Sequence, residues 1–204
     1  MNDIHSISGS PERADGILGL PSLDSVGDPA GDLLPAGVYL AGIECMNYQT
    51  GKSRVDVSLD IAAGPCKGFF GELPPSMDWL HSLYLGLKPN ALRFTKRAIK
   101  CIGDANPGFD AFAAWNDDLR LFNGRLVFVT VGQREWTNSF GEAETSYRFQ
   151  AVAPDALRAG SYRIPGVEHA DGTSEEAVEG EPVDVDSLLD EALGLSASHG
   201  ESNE

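Results

Sequence analysis

The sequence predicts a mainly β protein: a five-stranded Greek-key barrel of the OB-fold type, with one helix between its third and fourth strands, flanked by disordered acidic tails. Three observations lead there. Apolar alternation with a period of two recurs in short segments through the middle of the chain. It gives way once, between residues 91 and 102, to a helical period. The third observation is that charge divides the 204 residues into unlike parts.

The formal net charge is −16. Residues 1–35 hold six acids and one base, residues 36–165 thirteen acids and fourteen bases, and residues 166–204 twelve acids and no base. The patterned middle is therefore near neutral, and the acidity sits in the ends. A polyanion senses charge within a Debye length of about 8–10 Å, so acidic ends do not exclude a basic face on the middle. Three regions follow. Residues 1–35 read as a flexible acidic arm, with a weak apolar contact at Ile17-Leu18-Gly19-Leu20. Residues 36–165 read as one OB-like nucleic-acid-binding domain. Residues 166–204 read as a disordered tail carrying a short amphipathic helix at about 183–195.

Within the middle, Gly37 to Asn47 is rich in β-formers and makes the first strand. Tyr48 to Ser53 is a hairpin loop, and Arg54 to Ile61 alternates strictly, with Val55, Val57, Leu59 and Ile61 on one face. Gly68 to Leu73 fits a third strand, and Pro74 to Pro89 is irregular. Asn90 caps a helix from Ala91 to Ile102, stopped by Gly103. Leu92, Thr95, Ile99 and Ile102 form its apolar stripe, and Arg93, Lys96, Arg97 and Lys100 a wholly basic one. Asp110 to Trp115 adds a helical turn or two. Arg125 to Trp136 and Thr145 to Val152 are the fourth and fifth strands, joined by a loop from Thr137 to Glu144. A helical turn at Pro154 to Gly160 and an extended end at Ser161 to Pro165 complete the domain.

No catalytic constellation emerges. Three of the four histidines, His5, His169 and His199, lie in or beside the ends, which leaves no cluster for nucleophilic or metal chemistry. Neither a phosphate-binding loop nor a dinucleotide fingerprint is present. Asp56 and Asp60 read as a solvated strand face, and Asp117-Asp118 as turn chemistry. Cys45, Cys66 and Cys101 are far apart and odd in number, which fits free thiols in a reducing cytoplasm. No apolar run reaches the ~18 residues of a membrane span. The reading is of a protein that is not an enzyme and takes neither metal nor cofactor.

What recurs instead is cations interleaved with rings. Tyr48, Lys52 and Arg54 cluster at the first loop, Lys67 and Phe70 at the third strand, Arg134 and Trp136 at the end of the fourth, and Tyr147 and Arg148 on the fifth. Phe140 sits in the intervening loop. Single-strand binders need rings to stack on bases and cations to meet phosphates. Phe69, Phe128 and Phe149 read more simply as core, as do Trp79 and Trp115. The basic helix stripe fits either a solvated face or a phosphate contact.

Gly37-x-Tyr39, Gly51-Lys52, Asp60-Ile61-x-x-Gly64, Lys67-Gly68-x-Phe70, Leu92-x-x-Phe94, Asn106-Pro107-Gly108-Phe109, Gly124, Gly132-x-x-Glu135 and Arg163-Ile164-Pro165, in that order, resemble a largely uncharacterised family of phage and prophage proteins from replication and recombination modules. The resemblance covers about residues 36–165 and implies a single-stranded-DNA-binding or recombination accessory role. The layout of barrel plus acidic end is similar to that of bacterial single-strand-binding proteins. In the tail, Val185, Leu188, Leu189 and Ala192 share one helical face among acids, a candidate ligand for a partner's groove.

The expected function is non-catalytic binding of single-stranded DNA with little sequence preference, the acidic tail modulating DNA or partner binding. The alternative is an adaptor that recruits replication or recombination proteins through the acidic helix, with the barrel as scaffold.

Overall fold

The computed structural model describes residues 33–71 and 80–194. From Leu34 onward the chain forms one unit. It is mainly β, built on a five-stranded antiparallel sheet in the order β3-β2-β1-β4-β5. The strands are β1 (Gly37–Gln49), β2 (Arg54–Ile61), β3 (Ser82–Gly86), β4 (Leu126–Thr137) and β5 (Ala143–Ala151). Helices α1 (Leu92–Ala105) and α2 (Ala111–Asp117) lie between β3 and β4, and α3 (Pro154–Arg158) follows β5. A small hairpin of β6 (Arg163–Ile164) and β7 (Val178–Glu179) and helix α4 (Val185–Ala192) come last. Among the described residues, no helix is long and apolar enough to cross a membrane.

The strict alternation of β2 is realised: Val55, Val57, Leu59 and Ile61 are all buried. β1 carries a register shift between Ile43 and Cys45, an irregularity of the bulge kind that bends a strand. β4 is the central wall. Its odd residues Val127, Val129 and Val131 enter one apolar cluster with α1 and α2, and Leu126 and Phe128 enter a second on the opposite face. A strand buried on both faces reads as a continuous apolar run, which is how Leu126 to Val131 is written. Gly132 then breaks the run because Pro165 lies against the strand there: an added Cβ would sit 2.7 Å from the proline's Cβ.

Asn106 ends α1 and ties it to the first residue of β4, Leu126. Its amide nitrogen donates to the carbonyls of Ile102 and Leu126 at 2.6 and 2.7 Å, and its oxygen accepts from the Leu126 N–H at 3.0 Å. The helix therefore runs past Gly103, where the sequence suggested a stop. A side chain can satisfy the last carbonyls as well as a left-handed glycine does. At the other end the predicted Asn90 cap is not used; the capping residue is Ala91, without a side-chain bond. Thr95 anchors that end instead, its hydroxyl donating to the Gly86 carbonyl at 2.7 Å. α2 starts as expected, with the Asp110 carboxylate accepting from Phe112 and Ala113 N–H.

Three expectations need correction. The third strand is not at Gly68 to Leu73: residues 65–71 are turns, and β3 lies at Ser82–Gly86 instead. The segment 65–71 is pinned by Asp60, whose carboxylate accepts from the Phe70 N–H at 2.9 Å. The sheet is not a closed barrel; β3 and β5 are its two edges, and they share no ladder. Finally, the described part of the acidic end, residues 166–194, is folded. Val185 is 1% exposed in the second cluster, with Leu188, Leu189 and Ala192 packed beside it. Alternating acids suggested solvation, but the apolar face of α4 finds Leu40, Phe128 and Leu157 to cover it. The arm at 1–32, Trp79 and the chain beyond 194 lie outside the described residues.

Candidate nucleic-acid interface

The pleat decides which of the candidate residues act together. Side chains of paired residues share a face, and the face reverses at each step. Gln49 pairs with Arg54, Asp56 with Tyr84, and Gly132 with Arg148. One face of the sheet therefore carries Arg54, Asp56 and Tyr84 on β2 and β3, and Arg134, Trp136 and Arg148 on β4 and β5. Leu40 and Phe128 lie on the same face between these two patches, roofed by α3 and α4.

On the β2–β3 patch, the Arg54 guanidinium lies 3.9 Å from the centroid of the Tyr84 ring. Asp56 holds it there, bonded from the Arg54 Nη2 at 3.0 Å. Tyr84 is 44% exposed and Tyr48, at the end of β1, 55%. Partial burial pushes the Tyr84 phenol above its ordinary pKa, against the pull of Arg54. Lys52 is exposed in the single 3-10 turn, Thr50–Lys52, that joins β1 to β2, and the turn closes through Ser53 at φ +48°. Arg54 and Tyr84 thus form one exposed ring-and-cation strip with Lys52 in the adjoining turn, whereas Tyr48 pairs with Val55 and so projects from the other face at the same end of the hairpin.

On the β4–β5 patch, Glu168 is the organising residue. Its backbone continues the sheet edge beyond the start of β1: its N–H donates to the Gln133 carbonyl at 3.0 Å, and its carbonyl accepts from Glu135 N–H at 2.7 Å. Its carboxylate accepts from the Arg148 Nη1 at 2.5 Å and lies 3.6 Å from the Arg134 Nε. His169 Nδ1 is 2.9 Å from Glu135, and that bond raises the histidine's pKa above its ordinary value. Trp136 is half-buried, and Phe140 at the tip of the next loop is 87% exposed.

The structure does not bring all the candidates together. The β1–β4 ladder runs from Gly37 opposite Val131 to Gly42 opposite Leu126, so Gln49 and Thr137 point to opposite ends of the sheet. The loop of Tyr48 and Lys52 and the loop of Phe140 lie apart. Arg93, Lys96, Arg97 and Lys100 are exposed on α1. Arg93 lies 4.6 Å from the Phe94 ring centroid, and Lys100 is bonded to Asp104 at 2.5 Å. Lys67 is exposed in the turn before Phe69.

Phe70 is a correction: it is 2% exposed and cannot stack on a base. Its ring stacks on His81 at 5.4 Å and meets Tyr147 and Phe149 edge-on at 5.6 and 6.0 Å. Tyr147 faces the same cluster, and its hydroxyl accepts from the Leu34 N–H at 3.0 Å. Burial raises that phenol and also Tyr39, which reaches about 12. The face of α4 carrying Val185, Leu188, Leu189 and Ala192 is packed against the second apolar cluster rather than presented to a partner.

Tyr84 and Glu168 were not among the sequence candidates. The signal for Tyr84 existed, since Leu83 and Leu85 alternate around it. It was masked by starting the third strand at Gly68, fourteen residues before its observed start at Ser82. The three cysteines are free thiols, and burial raises Cys101. Among the described residues, no group of three or more His, Cys, Asp or Glu is placed to hold a metal ion. No family model and no curated protein matches the chain.

Proposed function

We propose that this protein binds single-stranded DNA without catalysis, through the exposed face of β2 and β3 and the loop that joins β1 to β2. The observation that carries the reading is the exposed Tyr84 ring under the Arg54 guanidinium, with Lys52 in the adjoining turn; the exposed Tyr48 ring stands at the same end of the hairpin on its other face. Base–aromatic stacking is worth about 1–3 kcal/mol per base and tolerates any sequence, because every base has a flat face. Strands 2 and 3 and the first hairpin loop are where OB-folds take their ligands. The architecture supports extending the proposal to a partly open OB-like barrel. The helices fall between β3 and β4, and the aromatic cluster of Phe70, Tyr147 and Phe149 links the turn before β3 to β5. The sequence resemblance supports a setting in a phage replication or recombination module.

In this reading Glu168 is a competitor built into the fold. It neutralises Arg134 and Arg148 beside Trp136, so the β4–β5 patch is available to phosphates only when the carboxylate is displaced. The folded acidic segment thus modulates strand binding from within the domain.

The test is a titration of the full chain against a ~30-nucleotide oligo-dT and its duplex with oligo-dA, over a series of salt concentrations. The expected result is binding to the single strand that weakens linearly on a log–log salt plot, by about 0.7 per phosphate contacted. Absence of binding at low salt, or equal preference for the duplex, contradicts the reading.

A further inference from the structure

A cleft of about 540 Å³ lies between α1, β5 and the turn leading into β6, outside the interface described above. It is lined by Arg97, Gln150, Ser161, Tyr162, Arg163 and Glu179. That volume falls in the ~300–1,000 Å³ range of small-molecule sites. Two arginines line it from different elements, Arg97 from α1 and Arg163 from β6. Among the described residues Arg97 has no ion-pair partner. Arg163 is held only loosely, by the exposed Glu179 at 3.4 Å. Planar guanidinium forks match phosphate oxygens two by two.

The wall opposite α1 is shaped around a ring. Tyr162 lies over Gly180, where any Cβ would collide with it, and its hydroxyl donates to the Glu181 carbonyl at 2.7 Å. Gly160, at φ +63°, turns the chain where an added Cβ would lie only 3.2 Å from the Gly180 carbonyl oxygen. These contacts fix the ring's position on the cleft lining, while Ser161 and Gln150 add neutral hydrogen-bonding groups. Cation pair, flat ring and neutral polar groups are the three parts a nucleotide needs for its phosphate, base and sugar. Glu179 is the one acid in the lining. A phosphomonoester carries close to two negative charges at pH 7 against its one, which favours the phosphate on Arg163.

We propose that this cleft binds a 5′-phosphorylated nucleotide, with Arg97 and Arg163 on the phosphate and the Tyr162 ring along the base. The phosphomonoester could come from a free nucleotide or from the 5′ end of a strand. The inference deepens the nucleic-acid reading yet needs a different surface from the Arg54–Tyr84 strip.

The experiment is calorimetric titration of the full chain with dTMP, thymidine and inorganic phosphate, followed by displacement of dTMP with 5′-phosphorylated and 5′-hydroxyl oligo-dT. The expected result is saturable 1:1 binding of dTMP, at least tenfold tighter than thymidine. Arg97→Ala and Arg163→Ala should each weaken it at least tenfold and Arg97→Lys less. Both arginines are exposed, so far-ultraviolet circular dichroism should stay unchanged. Displacement by the 5′-phosphorylated oligomer alone assigns the strand end; displacement by neither oligomer assigns a free nucleotide. Equal displacement by both overturns phosphomonoester recognition, as does equal affinity for thymidine or indifference to both alanine variants. If dTMP fails while 5′-hydroxyl oligo-dT binds, this inference alone falls. If dTMP binds while the oligomer fails, the strand-binding reading alone falls.

Discussion

Tyr84 shows how one misplaced element hides a functional side chain. The residues around it alternate, with Leu83 and Leu85 turned inward, and the ring is left outside under the Arg54 guanidinium. Truncation to Tyr84→Ala should weaken oligo-dT binding by about 1–3 kcal/mol, read by anisotropy, because it removes one stacking surface and the support beneath Arg54. Phe70 errs in the opposite direction. It belongs to the same kind of ring-and-cation run in sequence, but Asp60 draws its backbone inward and His81 and Tyr147 close over its ring. Sequence alone cannot separate a stacked ring from a packed one when both sit beside a lysine, because the difference lies in contacts from residues ten or more positions away. Asn106 is legible only as a turn residue, yet it joins α1 to β4 through three bonds. Asn106→Ala leaves those partners unsatisfied and should cost about 1–3 kcal/mol in denaturant unfolding.

At the scale of elements, β2 was fully legible, because its strict alternation matches a strand with one packed face. β4 was legible too, since an unbroken apolar run demands cover on both sides. The acidic end was legible only in part: the helix expected at about 183–195 is α4, but its packing onto the sheet was not foreseen. Its composition argues for solvation, whereas its structure depends on one spacing, Val185 with Leu188 and Leu189, finding an uncovered patch on the far side of β4. Glu168 couples that end to the sheet through Arg134 and Arg148. Glu168→Gln keeps the backbone bonds and removes the charge. It should tighten oligo-dT binding severalfold at low salt and less at high salt, where exposed charges are screened. His169 gives the same segment a pH dependence. Its folded pKa lies above the ordinary 6.5, chiefly through the bond to Glu135. The stabilisation it adds is therefore complete below about pH 6.5 and is lost as pH rises through the raised value. Hydrogen-exchange protection factors of residues 167–175, which remove the base catalysis common to all amides, should fall over that interval in the wild type and stay level in His169→Gln.

For the whole molecule, the two apolar clusters on opposite faces of β4 make residues 34–194 the unit to be studied. Cutting at residue 165 would strip Val185 from beside Leu157 and expose Leu40 and Phe128, so a chain ending there should lose stability as well as charge. The point substitution Leu157→Ala tests that coupling more gently. Leu157 is fully buried, and its truncation should cost about 2–5 kcal/mol. At this scale the charge division was legible as a set of numbers but not as an architecture. Among the acids of residues 166–194, Glu168, Glu179 and Asp186 each meet an arginine of residues 36–165. The net charge of −16 therefore coexists with a ring-and-cation strip that no described acid covers except Asp56.

The central claim is that this strip binds single strands. Its most direct measurement is fluorescence anisotropy of a labelled ~30-nucleotide oligo-dT, titrated at low salt with the full-length protein and with the double variant Arg54→Ala, Tyr84→Ala. The account predicts saturable binding by the wild type and a loss of tenfold or more in the variant, with its far-ultraviolet circular dichroism unchanged. A wild type that leaves the anisotropy flat, or a folded variant that binds as tightly as the wild type, would contradict it.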